Sequence, residues 1–124
     1  MQRKENTEMI KEIFAISDDI RYVAIYRDDQ LESDSKSSTQ GASSSESDRY
    51  EELLVNPTLL KLAAQRGNID CGGLDYLLIK YGNFFQFVLP TYWCHVSVCI
   101  EKSADPITIG LKVMSLIENE TDVA

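Results

Sequence analysis

The sequence predicts an α+β fold, a sandwich in which a five-stranded antiparallel sheet lies between helices, and three observations lead to it. First, the stretch from Leu74 to Glu101, LDYLLIKYGNFFQFVLPTYWCHVSVCIE, holds three apolar runs punctuated by Gly82-Asn83 and by Pro90-Thr91. The runs are rich in β-branched and aromatic residues, and a Gly-Asn pair supplies the positive φ angles of a tight hairpin, so they read as a meander of three strands. Second, Gln86 and His95 are almost the only strongly polar side chains between Asn83 and Cys99. A sheet that is apolar on both faces needs cover on both. Third, segments of helical period stand before, between and after the strands, giving the order α-β-β-α-β-β-β-α.

From about Lys4 to Ser17, Met9, Ile10, Ile13 and Phe14 recur at helical spacing with Glu5, Lys11 and Glu12 turned away, which predicts an amphipathic first helix. Arg21 to Arg27, RYVAIYR, reads as a strand, Asp28-Asp29 as a turn, and Gln30 to about Ser35 as a polar second strand suited to a sheet edge. Between Ser33 and Ser47 there is no large apolar residue to anchor the chain, so a flexible Ser-rich loop is expected there.

Ser47-Asp48 are good cap residues, and Glu51 and Glu52 fall in the first turn of the helix they would open, where the helix dipole favours negative charge. Pro57 requires that helix to kink, or to restart with Asn56 as cap and Pro57 as first residue. Leu59, Leu60, Leu62, Ala63 and Ala64 then face more than one direction, up to Gly67 as the expected C-terminal cap, which suggests a helix with a second face to bury. Gly72-Gly73 reads as a turn or bulge needing unusual dihedrals rather than a phosphate loop, since neither a following helix nor a lysine is present. Asp105 and Pro106 open the last helix as cap and first residue. Its expected stripe is Ile107, Leu111, Met114 and Ile117, broadened by Ile109, Val113 and Leu116, and Glu118 to Ala124 is expected to fray.

Composition bounds the function. With 124 residues, 44% hydrophobic and 26% charged, the chain has the make-up of one globular domain. A formal net charge of -8 argues against a nucleic-acid binder and against an anionic membrane surface, both of which need lysine and arginine. The N-terminal MQRKENTEMIKEIF has no apolar segment behind its charges, and no apolar run is long enough to span a bilayer, so no membrane insertion and a cytoplasmic location are expected. The 3 cysteines fit that compartment, being odd in number and without a CxxC pair.

No set of residues converges on catalysis, and neither a cofactor nor a metal is expected. His95 is the single histidine, so a multi-histidine metal site is excluded. Cys99 shares its strand face, but at about 3.3 Å per residue the two lie roughly 13 Å apart, beyond hydrogen-bond reach, and core packing accounts for both. Asp18-Asp19 and Asp28-Asp29 sit where turns need short polar residues. Tyr92 and Trp93, in the turn before the last strand, are the one aromatic pair that reads as a contact surface, against the commoner fate of turn packing.

With this order of elements, and with VAIYRDD at Val23 to Asp29 and HVSVCIEKSADPITIGLKVMSLIE at His95 to Glu118, the chain resembles the roadblock/dynein light-chain family. Members typically carry a glycine in the turn after the first strand, where this chain has Asp28-Asp29-Gln30, and the Ser-rich insertion is longer than usual. The resemblance implies a profilin-like α/β/α sandwich and a non-enzymatic homodimer, serving as a platform or regulator for Ras-like small GTPases or as an adaptor on larger assemblies. It implies a dimer surface of Leu53, Asn56, Leu60 and Ala64 on the middle helix with Leu74, Tyr76 and Leu78 on the third strand. The surplus apolar face of that helix agrees, because exposed apolar patches mark interfaces. The competing reading is a PAS-like or profilin-like sensory or small-ligand-binding domain, which needs a pocket that Phe84, Phe85 and Phe87 would crowd.

Overall fold

A computed structural model describes residues 5–36 and 45–122. The elements are α1 (Asn6–Phe14), β1 (Ile20–Arg27), β2 (Gln30–Ser35), α2 (Ser45–Tyr50), a π-helical turn (Glu51–Val55), α3 (Asn56–Asp70), β3 (Leu77–Lys80), β4 (Phe84–Thr91), β5 (Cys94–Glu101) and α4 (Pro106–Asp122). Because α2, the π turn and α3 follow without a break, they form one middle helix and the order is the expected one. The five strands make one antiparallel sheet in the order β2-β1-β5-β4-β3. Of the expected Ser-rich loop, residues 37–44 lie outside the described residues, while β2 and α2 take up its two ends.

One face of the sheet carries the main core. Val23 and Ile25 of β1, Phe87 and Leu89 of β4, and Val96, Val98 and Ile100 of β5 meet Met9, Ile10 and Ile13 of α1 and Ile109, Val113 and Ile117 of α4. The buried stripe of α4 therefore runs through Ile109, Val113 and Ile117. Ile107 and Leu111, assigned to that stripe from sequence, are exposed. Residues four apart on a helix lie one above another, and the row nearest the sheet is set by Gly110, whose missing side chain lets α4 settle onto Phe87. Asp105 caps α4 as expected, accepting from the Ile107 N–H at 3.1 Å and the Thr108 N–H at 3.3 Å. Of the tail expected to fray from Glu118 to Ala124, the part up to Asp122 continues α4, and residues 123 and 124 lie outside the described residues.

The other face departs from the expectation of two apolar sides. Strand alternation brings Tyr22 and Ala24, Gln86, and His95, Ser97 and Cys99 to it, and Gln86, His95 and Ser97 are buried there. Gln86 Nε2 donates to Ser97 Oγ, so these buried polar groups are satisfied across the sheet. The middle helix covers this face, as its contact with His95 shows.

Several boundaries move for identifiable reasons. Gly82 and Asn83 do not take positive φ. The hairpin still turns at Gly82-Asn83, because the register of β3 with β4 sets Tyr81 opposite Phe84 and the Tyr81 N–H donates to the Phe84 carbonyl at 2.9 Å. Pro90-Thr91 does not break the strand: it belongs to β4, and the turn falls at Tyr92-Trp93. Because β3 pairs with β4 only as far as Val88, Pro90 lies past the end of β3, where a missing N–H is tolerated. Gly67 is not the C-terminal cap, since α3 continues to Asp70. A Cβ at Gly67 would stand 3.1 Å from the Gly73 carbonyl carbon, so the glycine permits close approach of the helix to the returning chain. Gly72 and Gly73 do hold the expected unusual dihedrals, with φ of 83° and 96°.

Candidate functional site

Pro57 organises the middle helix. A proline in mid-helix donates no hydrogen bond and crowds the preceding turn, and the expected outcomes were a kink or a restart capped by Asn56. The restart does not occur: Asn56 keeps helical dihedrals, φ -63° and ψ -47°, and its N–H bonds the Glu51 carbonyl five residues back. The wider π register before Pro57 absorbs the proline without ending the helix, and such turns recur at functional sites. Its consequence is directional: within Glu51–Val55 the turn buries Glu52 completely while leaving Leu53 and Leu54 exposed.

Glu52 enters the polar face of the sheet. Its Oε1 accepts from His95 Nε2 at 2.8 Å and from Asn56 Nδ2 at 2.9 Å, with all three residues at 0% exposure. The other side of the imidazole faces Cys94, with Sγ 3.7 Å from Nδ1, and the Tyr26 ring meets it edge-on at 5.8 Å. Glu52 Oε2 and Asn56 Oδ1 are buried with no hydrogen-bond partner.

Beside this network lies a cleft of about 510 Å³ between the middle helix and the sheet. Glu52 and Tyr22 line its inner side, with Asp48, Glu51, Tyr81 and Phe84 around them. Tyr81 Oη donates to Glu51 Oε1 at 3.1 Å, closing one end. Arg21 stands at the edge, its guanidinium 5.3 Å from the centroid of the Phe84 ring and 3.4 Å from Glu101. The potential in the cleft is negative. Burial, then the nearby charges of Glu52 and Asp48, push the Tyr22 phenol up, and burial, then Glu51, push Tyr81 up to about 12. The Glu51 carboxyl is raised by partial burial and by Glu52 and Asp48, against the opposing hydrogen bond from Tyr81. Burial, with Glu52, Glu51 and Asp48 behind it, raises the Cys99 thiol.

The residues assigned to a dimer surface from the family resemblance fall into separate environments. Asn56 and Leu60 are buried within the chain, and Tyr76 and Leu78 pack against the main core on the opposite side of the sheet, with the Tyr76 and Phe87 ring centroids 4.9 Å apart. Leu74 and Tyr76 precede β3 rather than belonging to it, and Ala64 and Leu74 are half-buried. Leu53 is exposed. The larger apolar side chains left in water by the middle helix are Tyr50, Leu54, Leu59, Leu62 and Ile69.

His95 was read from sequence as a packed core residue, and it is one, but its partner was missed. The helix begins at Ser45 rather than at the expected Ser47, so Glu52 falls beyond its first turn and is not the dipole-stabilised surface charge that the sequence suggests. A lone histidine on a strand covered from both sides requires a polar partner, and that requirement was the available signal. Of the two aromatics in the turn after β4, Tyr92 is exposed, while Trp93 is half-buried with the Arg27 guanidinium 5.3 Å from its ring centroid. Among the described residues no group of three metal-ligating side chains is assembled, and no helix is long and apolar enough to cross a membrane. No family model matches the chain, and no curated protein matches it significantly.

Proposed function

We propose that this protein is a dimeric, non-catalytic scaffold or regulatory protein that binds a Ras-like small GTPase or a larger assembly. The observation that carries this reading is the outer face of the middle helix, where Leu54, Leu62 and Ile69 are 52%, 60% and 75% exposed and recur about every two turns. A row of large apolar side chains in water is an interface signal rather than scattered surface. The helix that carries this row on its outer face lies beside β3, an edge strand of the described sheet. Tyr81, just after β3, bonds Glu51, and Gly67 meets Gly73, just before β3, so the helix is held beside the outermost strand at both of that strand's ends. An apolar helix face beside an open strand edge suits a twofold pairing of helix with helix and strand with strand. That pairing also agrees with the resemblance to roadblock-like proteins.

Sedimentation equilibrium at micromolar concentration tests the reading. The expected mass is twice the chain mass of 14.0 kDa, and Leu62→Glu is expected to give a folded monomer. A wild-type monomer at that concentration overturns it. With the dimer established, purified Ras-like GTPases in both nucleotide states are the partners to titrate.

The cleft favours a second reading, a small-ligand-binding domain. Its volume of about 510 Å³ falls in the range of roughly 300–1,000 Å³ typical of ligand sites. Phe85 and Phe87 turn to the opposite core, and of the three phenylalanines expected to crowd a pocket only Phe84 lines the cleft.

A further inference from the structure

We propose that the cleft between the middle helix and the sheet binds a small organic cation, a guanidinium or alkylammonium group, with its charge against Glu51 and Glu52 and its carbon chain along Tyr81 and Phe84. The inference rests on the ligand-binding reading above and gives its ligand a chemical class.

The unsatisfied carboxylate oxygen is the first argument. Glu52 is fully buried, and both of its hydrogen bonds, from His95 and Asn56, go to Oε1. Oε2 lacks a partner although the residue lines the cleft. A buried carboxylate oxygen without a donor is costly, and a group that brings donors and positive charge into the cleft removes that cost. The Tyr22 hydroxyl, also buried and without a hydrogen bond of good geometry, lines the same space.

Charge and wall chemistry are the second. Among the described residues, the carboxylates of Asp48, Glu51 and Glu52 line the cleft together with one cation, Arg21. Arg21 is already engaged with Glu101 and with the Asn83 carbonyl at 3.2 Å. An anion would meet net repulsion, and a neutral apolar molecule would leave Oε2 unsatisfied. The aromatic walls attract cations through their π faces, as the position of Arg21 over Phe84 already illustrates. A metal ion is less suited than an organic cation, because no cluster of three ligating side chains forms among the described residues.

The test is a titration of the full chain with butylguanidinium, its neutral isostere butylurea, and the peptide acetyl-Gly-Arg-Gly-amide, followed by amide NMR shifts and calorimetry. Butylguanidinium is expected to shift Tyr22, Glu52 and Tyr81 saturably, with butylurea and the Glu51→Gln variant each weaker by roughly tenfold or more. Glu52→Gln is expected to weaken binding further. If that variant unfolds, Glu51→Gln carries the test, since Glu51 lies at the half-buried edge. Tighter binding of the free cation identifies a small molecule as the source of the charge, and tighter binding of the peptide identifies an arginine side chain of a protein. Equal affinity for butylurea, or binding indifferent to Glu51→Gln, overturns the cation while leaving a ligand site in place. Absence of saturable shifts at the cleft with every probe overturns both.

Discussion

The ring of Phe87 on β4 occupies the space that a side chain would need at Gly110 on α4: an added Cβ would stand 2.4 Å from the Phe87 Cε2. Phe87 is fully buried in the main core, so the ring cannot move aside into solvent. Gly110→Ala therefore forces α4 off the sheet or the ring off its rotamer. Overpacking of this kind costs about 1–3 kcal/mol, which outweighs the alanine's better helix propensity of about 1 kcal/mol. Urea unfolding is expected to show the loss, and Phe87→Leu in the same chain to recover part of it. A Gly110→Ala variant more stable than wild type contradicts this packing.

The pair Glu52–His95 is expected to behave as a unit. Removing one partner, by His95→Ala or Glu52→Ala, leaves the other polar group buried without its 2.8 Å contact. Leaving a buried hydrogen-bonding group without its partner costs about 1–3 kcal/mol, whereas replacing both partners by apolar groups of similar size is often nearly neutral. The double variant Glu52→Leu/His95→Phe is thus expected to be more stable than either His95→Ala or Glu52→Ala. A double-mutant cycle of Glu52→Leu, His95→Phe and the double variant, followed by chemical denaturation, measures the coupling, and strict additivity would mean that the contact contributes nothing.

What was legible in the sequence follows from the range of the forces involved. The apolar pattern of an element reports its burial, and it marks the three helical stretches and every described strand but the polar edge strand β2, because burial of Met9, Ile13, Val96 or Val98 leaves a local trace. Turn geometry was less legible. Gly82-Asn83 carries the residue types of a tight hairpin and the chain does turn there, yet neither residue takes the positive φ that those types suggest. The candidate site was least legible, because it joins Glu52 to His95 across 43 positions and depends on a π turn. That turn is a response to Pro57 in a helix that tertiary packing holds together on both sides of the proline.

Asp28 and Asp29 occupy a two-residue hairpin loop with φ of 55° and 64°, both in the left-handed region. Hairpins of this length favour such dihedrals because they match the twist of the strands, and glycine adopts them without the Cβ clash that other residues suffer. Asp29→Gly is therefore expected to stabilise the protein by about 1 kcal/mol. The thermal midpoint is expected to rise with an unchanged dichroism spectrum. A fall would show that the Asp29 side chain makes a contact worth more than the strain it bears.

The three cysteines are expected to separate by reactivity and, through their ionisation, to shape stability at alkaline pH. Cys71 is exposed, Cys94 half-buried and Cys99 buried. Burial raises the Cys94 thiol, with Asp29 adding to the shift, and burial and the cleft carboxylates raise Cys99. In the native protein Cys71 should react first with Ellman's reagent, and Cys99 only on unfolding. A thiol whose folded pKa lies above its unfolded value holds its proton in the native state after the unfolded chain has lost it. The stabilisation is complete below the unfolded value of about 8.5 and is lost as pH rises through the folded one, with a limiting slope of about 1.4 kcal/mol per pH unit for each such group. Unfolding free energy should thus decline above about pH 8.5, and Cys99→Ala should flatten that decline even though it creates a small cavity that lowers stability at neutral pH. If the slope between pH 8.5 and 10 is the same in wild type and variant, within roughly 0.3 kcal/mol per unit, the Cys99 thiol ionises alike in both states and the negative potential assigned to the cleft is not felt there.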